Sequence, residues 1–262
     1  MAKRYEAIAD ALREQIRTGR LSPGDRLPTE AALVKRYKVS LPTVRQALGV
    51  LQAEGLVVKS HGRGNFVRKP RTKVVRSNGR HQWEKDRARA PREEREATGA
   101  TEYDTGLTVN DLVFSAEYRE AKATEELAAA LDVPIGTRLL ERTYRTRCRE
   151  EEAPFNVVRS HLVYDLIAAN PDLLDEANEP WPGGTQSQLY TVGIEVGRVE
   201  EHVTARPPTV EEVEELGLTA GVSVMVLRKM SMDTTGRVVD VTEVTLPGDR
   251  TELVFTTPLA RW

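Results

Sequence analysis

The sequence predicts an α+β fold in two modules: three helices and a β-hairpin, then an antiparallel sheet with helices at one face. Three observations predict it. Apolar residues recur at three- and four-residue steps through three segments before residue 55, and a glycine-tipped hairpin follows. From about residue 107 strand and helix signals alternate. Charge is split between the halves: residues 1–97 hold 23 basic and 11 acidic residues, and residues 98–262 hold 15 and 29. The net of −2 thus conceals +12 and −14, which implies modules with different partners.

In the first helix Tyr5, Ile8, Ala9, Leu12 and Ile16 share one face, and Gly19 ends it. Pro23-Gly24 marks a turn. Thr29 caps a short second helix over 30–37, with Glu30 in its first turn and Ala32, Leu33 and Tyr37 facing inward. Lys38-Val39-Ser40 is a tight connection. Ser40 caps a third helix reaching Glu54, where Pro42 falls in the first turn and Val44, Ala47, Leu48 and Leu51 form the apolar face. Gly55 stops it. Leu56 to Ser60 and Asn65 to Arg68 are strands joined by His61-Gly62-Arg63-Gly64.

Residues 1–70 are therefore one domain and 71–106 a charged linker, poor in aliphatics, with Trp83 as an isolated anchor. Residues 107–262 form the second domain. Strands are expected over 112–118, 139–148, 155–163, 199–206, 222–233 and 238–246, with helices capped by Thr124 and Thr209. A single cysteine, Cys148, excludes an intramolecular disulfide framework and a multi-cysteine zinc site, and the scattered histidines offer no metal set. No run approaches the roughly 18 apolar residues of a membrane span. A cytoplasmic protein without metal or cofactor is expected.

A helix entering the major groove needs hydrogen-bonding groups in its first turn and an apolar back face. Ser40, Thr43, Arg45 and Gln46 supply the first, and the face of Val44 supplies the second. Lys59, Arg63, Arg68, Lys69, Arg71 and Lys73 surround a hairpin tip suited to a minor groove or the phosphate backbone. Residues 3–68, through GRLSPGDRLPTEAALVKRYKVS, PTVRQALGVLQAEGLV and HGRGNFV, closely resemble the winged helix-turn-helix of the GntR family of bacterial transcription regulators. Residues 107–260, through GTRLLERTYR, RSHL and ARPPTVEEVEELGLTAGVSVMVLRKMSMDTTGRVVDVTEVTLPGDRTEL, are similar to the UTRA domain of its HutC subfamily, whose fold resembles chorismate lyase.

The resemblance implies a ligand-responsive repressor: a homodimer on a palindromic operator in double-stranded DNA, with a small-molecule effector in the C-terminal domain. Its DNA-contacting set falls on Thr29, Glu30, Ser40, Leu41, Pro42, Thr43, Arg45, Gln46, Lys59, His61, Gly62 and Arg63. Two positions often occupied by Arg in the family hold Ala31 and Leu41, so a bidentate guanine contact is replaced at Leu41 by apolar contact with a thymine methyl. The expected effector-binding residues are Arg142, Tyr144, Ser160, His161, Thr204, Arg206, Glu243 and Thr245. Arg142 matches a family position that binds an anionic group. The second arginine of that pattern is Tyr144 here, and a frequent acidic position is Val158. The rival reading is a chorismate-lyase-like enzyme fused to a nucleic-acid-binding module, with His161 and Glu200 or Glu243 as an acid–base pair. The chain contains neither GxSxG nor a P-loop.

Overall fold

The computed structural model describes residues 3–60 and 62–260. They fall into two compact units. One runs to Arg71 and takes in Pro208–Val213 and Gly217–Ser223; the other holds Thr72–Pro207, Glu214–Leu216 and the chain from Val224.

The first unit opens with α1 (Arg4–Arg17), α2 (Glu30–Tyr37) and α3 (Leu41–Ala53). Thr29 Oγ1 accepts from Ala32 N at 3.2 Å, the expected cap of α2. Ser40 occupies the N-cap position of α3, but its hydroxyl makes no capping bond; it lies 2.9 Å from Thr43 Oγ1 instead. Lys38 takes the left-handed conformation (φ 52°) that turns α2 into α3. Ile8, Leu12, Leu33, Val44, Leu48 and Leu51 are buried together, with Val57 and Val67 closing the cluster. Those two valines face each other at the base of an antiparallel hairpin, β1 (Val57–Ser60) with β2 (Gly64–Val67). Gln52 donates to Asn65 Oδ1 at 3.0 Å, fixing the hairpin to α3.

The second unit is built on a six-stranded antiparallel sheet in the order β4-β5-β6-β9-β8-β7. Its strands are β4 (Leu112–Lys122), β5 (Arg138–Cys148), β6 (Asn156–Val163), β7 (Val196–Arg206), β8 (Val224–Asp233) and β9 (Val238–Pro247). One face packs on α7 (Glu125–Leu131), which Thr124 caps, through Leu131, Leu139, Val163 and Val241. Beyond the sheet lie the short α8 (Tyr164–Ile167) and α9 (Gly184–Thr191). A tenth helix, α10 (Val210–Glu215), is divided between the two units.

The segment 71–106 is not a linker. It folds as β3 (Val74–Ser77), α4 (Arg80–Ala88), α5 (Arg92–Ala97) and α6 (Ala100–Thr105). β3 pairs in parallel with β10 (Thr251–Val254), so Val74 aligns with Thr251. Trp83 stacks on Tyr103 at 4.5 Å between ring centroids. Buried Arg80 on α4 joins Asp104 on α6. Helices of six to nine residues display too few turns for an apolar period, and a parallel pair with the far end of the chain leaves no local trace.

Candidate nucleic-acid interface and ligand cavity

The first turn of α3 separates cleanly into two sides. Val44, Ala47, Leu48 and Leu51 are buried, while Ser40, Leu41, Pro42, Arg45 and Gln46 are exposed and Thr43 is half-buried. Leu41 is 38% exposed at the start of the helix. The Arg45 side chain is 64% exposed, and its Nε donates to Glu30 Oε2 at 3.0 Å. Glu30 thus holds the guanidinium at a fixed place beside the turn while leaving the terminal nitrogens open. Lys59 and Arg63 are exposed on the hairpin, and the Arg63 guanidinium sits over the Phe66 ring at 6.0 Å. Gly62 (φ +70°) takes a conformation that a side chain would strain. His61 lies outside the described residues.

In the second unit a cavity of about 440 Å³ opens on the sheet face opposite α7. Its floor is set by the pleat. Tyr144, Val158, Ser160, Thr242, Val244, Ser231 and Lys229 line it, and the strand register puts them all on one side. The segment 179–189 and the helices α4, α5 and α6 close it.

Beneath this floor Arg142 is 1% exposed. It donates to Gln188 Oε1 at 2.7 Å, Ser160 Oγ at 2.9 Å and Thr185 Oγ1 at 3.4 Å. Ser160 donates a hydrogen bond to Asp240 Oδ1 at 2.6 Å. Asp240 also accepts from Thr242 at 2.8 Å and sits 3.3 Å from Lys229 Nζ. Burial would raise the Asp240 carboxyl, but Lys229, Arg142 and the two hydroxyls outweigh it and hold it below the ordinary range. Glu179 collects hydrogen bonds from Tyr144 at 2.9 Å, Gln188 at 2.8 Å and Tyr118. Burial pushes Tyr118 up to about 12 and Tyr144 well above its usual value, so both are donors at neutral pH.

A second polar group lies against the helices. Arg80 binds Asp104 and, at 3.0 Å, Glu84. Arg76 binds Glu201 at 2.9 Å, and His81 Nε2 lies 3.0 Å from the same carboxylate. Burial would raise Glu201, yet His81 and Arg76 bring it down to about 2. Asp104 goes the other way: burial pushes it up to about 6 against the pull of Arg80 and Arg76.

The expected effector residues divide by sheet face. Arg142, Tyr144 and Ser160 belong to the cavity side, although Arg142 lies under the lining with its two terminal nitrogens engaged and its Nε without a hydrogen-bond partner. His161, Thr204, Arg206, Glu243 and Thr245 project from the opposite side. His161 meets Glu141 at 3.1 Å rather than Glu200 or Glu243, and Glu200 is engaged by His202 at 2.7 Å. The reason is one residue of register. Both Asp240-Thr242 and Glu243-Thr245 are polar, so alternation alone does not say which set faces inward. The wall residues Arg76, Arg80, His81, Glu84 and Asp104 were missed because they fall in the supposed linker. The four-residue spacings of Arg80–Glu84, Gln82–Asp86 and Arg92–Glu96 are signals of folded helix there.

A winged helix-turn-helix with an open first turn on its third helix, in one chain with a ligand-sized cavity over an antiparallel sheet, defines a ligand-responsive DNA-binding regulator. The model of bacterial regulatory proteins of the gntR family matches residues 4–67, and that of the UTRA domain matches residues 115–252. The chain belongs to the GntR family and carries a UTRA effector domain. It is 28% identical over 239 residues to an uncharacterized HTH-type transcriptional regulator of Streptomyces coelicolor, covering 91% of this chain and 87% of that one. Identity to the HTH-type transcriptional repressor NagR of Bacillus subtilis is 27% over 251 residues, 94% and 91% of the two chains. A crystallised protein assigned to the GntR family superposes with a TM-score of 0.61 at 25% identity, covering 98% of each chain. No helix among the described residues is long and apolar enough to cross a membrane.

Proposed function

We propose that the chain is a homodimeric, cytoplasmic repressor that reads a palindromic operator and releases it when a small molecule fills the cavity of the second unit. The observation that carries this reading is the first turn of α3, where polar side chains stand exposed directly above a fully buried apolar face. Thr29, Glu30, Ser40, Leu41, Pro42, Thr43, Arg45 and Gln46, with Lys59, His61, Gly62 and Arg63 of the hairpin, are the proposed DNA-contacting set. Two copies related by a two-fold axis would place two such helices on symmetric half-sites. The repressor sense is supported by NagR, the repressor that aligns along most of the chain.

Tyr144 and Ser160 are proposed as direct effector contacts, with Arg142 positioning Ser160 and Gln188 rather than touching the ligand. We place the chain to Arg71 in the DNA-binding domain and, apart from Pro208–Val213 and Gly217–Ser223, the chain from Thr72 in the effector domain. The module is read as a binder rather than an enzyme because the expected acid–base residues His161, Glu200 and Glu243 lie on the sheet face away from the cavity. To move the operator from mostly bound to mostly free, the effector must prefer one arrangement of the dimer by a few kcal/mol, roughly 5 for a complete switch.

The test is selection of genomic fragments by the purified chain at low ionic strength, followed by gel shifts with a metabolite extract. Enrichment of an inverted repeat that the extract releases is the expected result. A chain that enriches no fragment has no operator, and the reading fails.

A further inference from the structure

Neither family model covers residues 68–114, yet this stretch builds one wall of the cavity through β3, α4 and α6. The same wall concentrates polar atoms that the protein leaves unmatched. Arg76 Nε, Arg80 Nε and Asp104 Oδ1 are buried without a hydrogen-bond partner, as is Trp181 Nε1 on the segment that closes the cavity. Arg80 and Asp104 are each 7% exposed. Buried donors and acceptors are costly to leave unmade, so a molecule entering here gains by completing them. Arg80 Nε and Asp104 Oδ1 flank one ion pair, which calls for an acceptor and a donor close together on the ligand.

Charge is balanced before anything binds. Arg80 is matched by Asp104 and Glu84, Arg76 by Glu201, and Lys229 by Asp240. The other two cations of the lining spend their N–H groups on carbonyls: Arg87 on Thr98 at 3.2 Å, and Arg95 on Ala90 at 3.1 Å and Pro182 at 2.9 Å. Arg142, the cation that the family pattern offers to an anion, is sealed under the floor. A phosphate dianion drawn to Arg76, Arg80 or Lys229 would have to break a buried ion pair and strand a carboxylate. An uncharged group would not. Phe114, Phe155, Val158, Leu189 and Val244 add an apolar surface to the lining that suits a ring-bearing body.

We propose that the β3–α4–α6 wall recognises an uncharged, mainly apolar molecule carrying a hydrogen-bond acceptor and donor side by side, such as an amide, lactam or hydroxy-ketone. The proposal rests on the reading of this cavity as the effector site. It transfers specificity from Arg142 to a segment outside both family models.

The experiment is saturation-transfer NMR of the full chain with two fragment sets of matched size. One set holds uncharged aromatic amides and hydroxy-ketones; the other holds phosphates and carboxylates, including glucose 6-phosphate and benzoate. Hits should concentrate in the uncharged set by at least fivefold. Asp104→Asn puts an NH₂ in place of the unpartnered Oδ1 acceptor, and Val244→Trp fills the space; either should abolish those hits in protein whose melting is cooperative. Asp104→Asn keeps the residue's shape and decides the matter if the tryptophan variant does not fold. A screen dominated by anions, uncharged hits that survive both variants, or no hits in either set would overturn the proposal. Any of these in a protein that still selects an operator leaves the regulator reading intact. Loss of operator selection in the unmodified chain overturns that reading instead.

Discussion

The first turn of α3 and the floor of the cavity both display polar side chains to a partner, but by different routes. At α3 the display is local. Residues 40–46 are consecutive, the helical period puts Val44 and Ala47 inward, and the remainder points outward. In the cavity the display is assembled from distant pieces: Arg142 on β5, Ser160 on β6, Gln188 on α9 and Asp240 on β9 form one chain of hydrogen bonds. The open turn depends on no single polar contact, whereas the floor is held by a network in which each group satisfies the next. Substitutions at the first should alter binding and spare the fold, whereas at the second the buried members Arg142 and Asp240 should cost stability.

The largest expected effect comes from the network. Arg142→Ala leaves Gln188 Oε1 and Ser160 Oγ without their donor and removes the cation that helps keep Asp240 ionised. A loss of about 3 kcal/mol is expected, the usual scale for opening a buried polar network around a charge. It should appear in a thermal melt as a lowered transition of the second unit, with operator binding intact below that temperature. A variant with unchanged melting that loses only its effector response would make Arg142 a ligand contact and erase the contrast between the two sites.

That contrast also explains what the sequence made legible. The helices and hairpin of the first unit could be read almost residue by residue, because caps such as Thr29, turn glycines and three-four periods are local signals. The six sheet strands could be read as well, with ends a few residues off, since alternation needs only neighbours. The choice of sheet face could not. Ser160 and His161 are adjacent and both polar, and which one faces the cavity is settled by pairing with Arg142 and Thr242 on other strands. The wall was lost for a related reason. Its buried groups are arginines and carboxylates that pair across 24 residues in Arg80–Asp104 and 125 in Arg76–Glu201. In composition such a segment is indistinguishable from a solvated tether.

A middle-sized effect follows from Asp104 and sharpens the comparison through pH. Burial raises its carboxyl from 3.8 to about 6 against Arg80 and Arg76. Between those values the folded chain holds a proton that the unfolded chain releases. Asp104 therefore favours the fold fully below about pH 4, and that contribution is lost as pH rises through 6. Asp104→Asn removes the titration. The melting temperature of the unmodified chain minus that of the variant should fall from pH 4.5 to 7, by the equivalent of about 2 kcal/mol. A difference that stays flat across that range would mean that Asp104 is ionised throughout, and the wall would be a set of ordinary ion pairs.

The smallest effect lies at the open turn and should not touch stability. Arg45 is mostly exposed and its pair with Glu30 reaches solvent, so Arg45→Ala should change melting by less than about 0.5 kcal/mol. Its consequence is electrostatic. If the guanidinium meets a phosphate, the variant should lose affinity for every DNA sequence by a similar factor, and the slope of log affinity against log salt should fall by about one unit per subunit. Glu30→Gln separates orientation from charge, because it keeps Arg45 but loosens its hold at Nε. That variant should retain the slope and lose part of the preference for operator over unrelated duplex. A slope unchanged in Arg45→Ala, with the operator preference lost, would instead place Arg45 at a base edge.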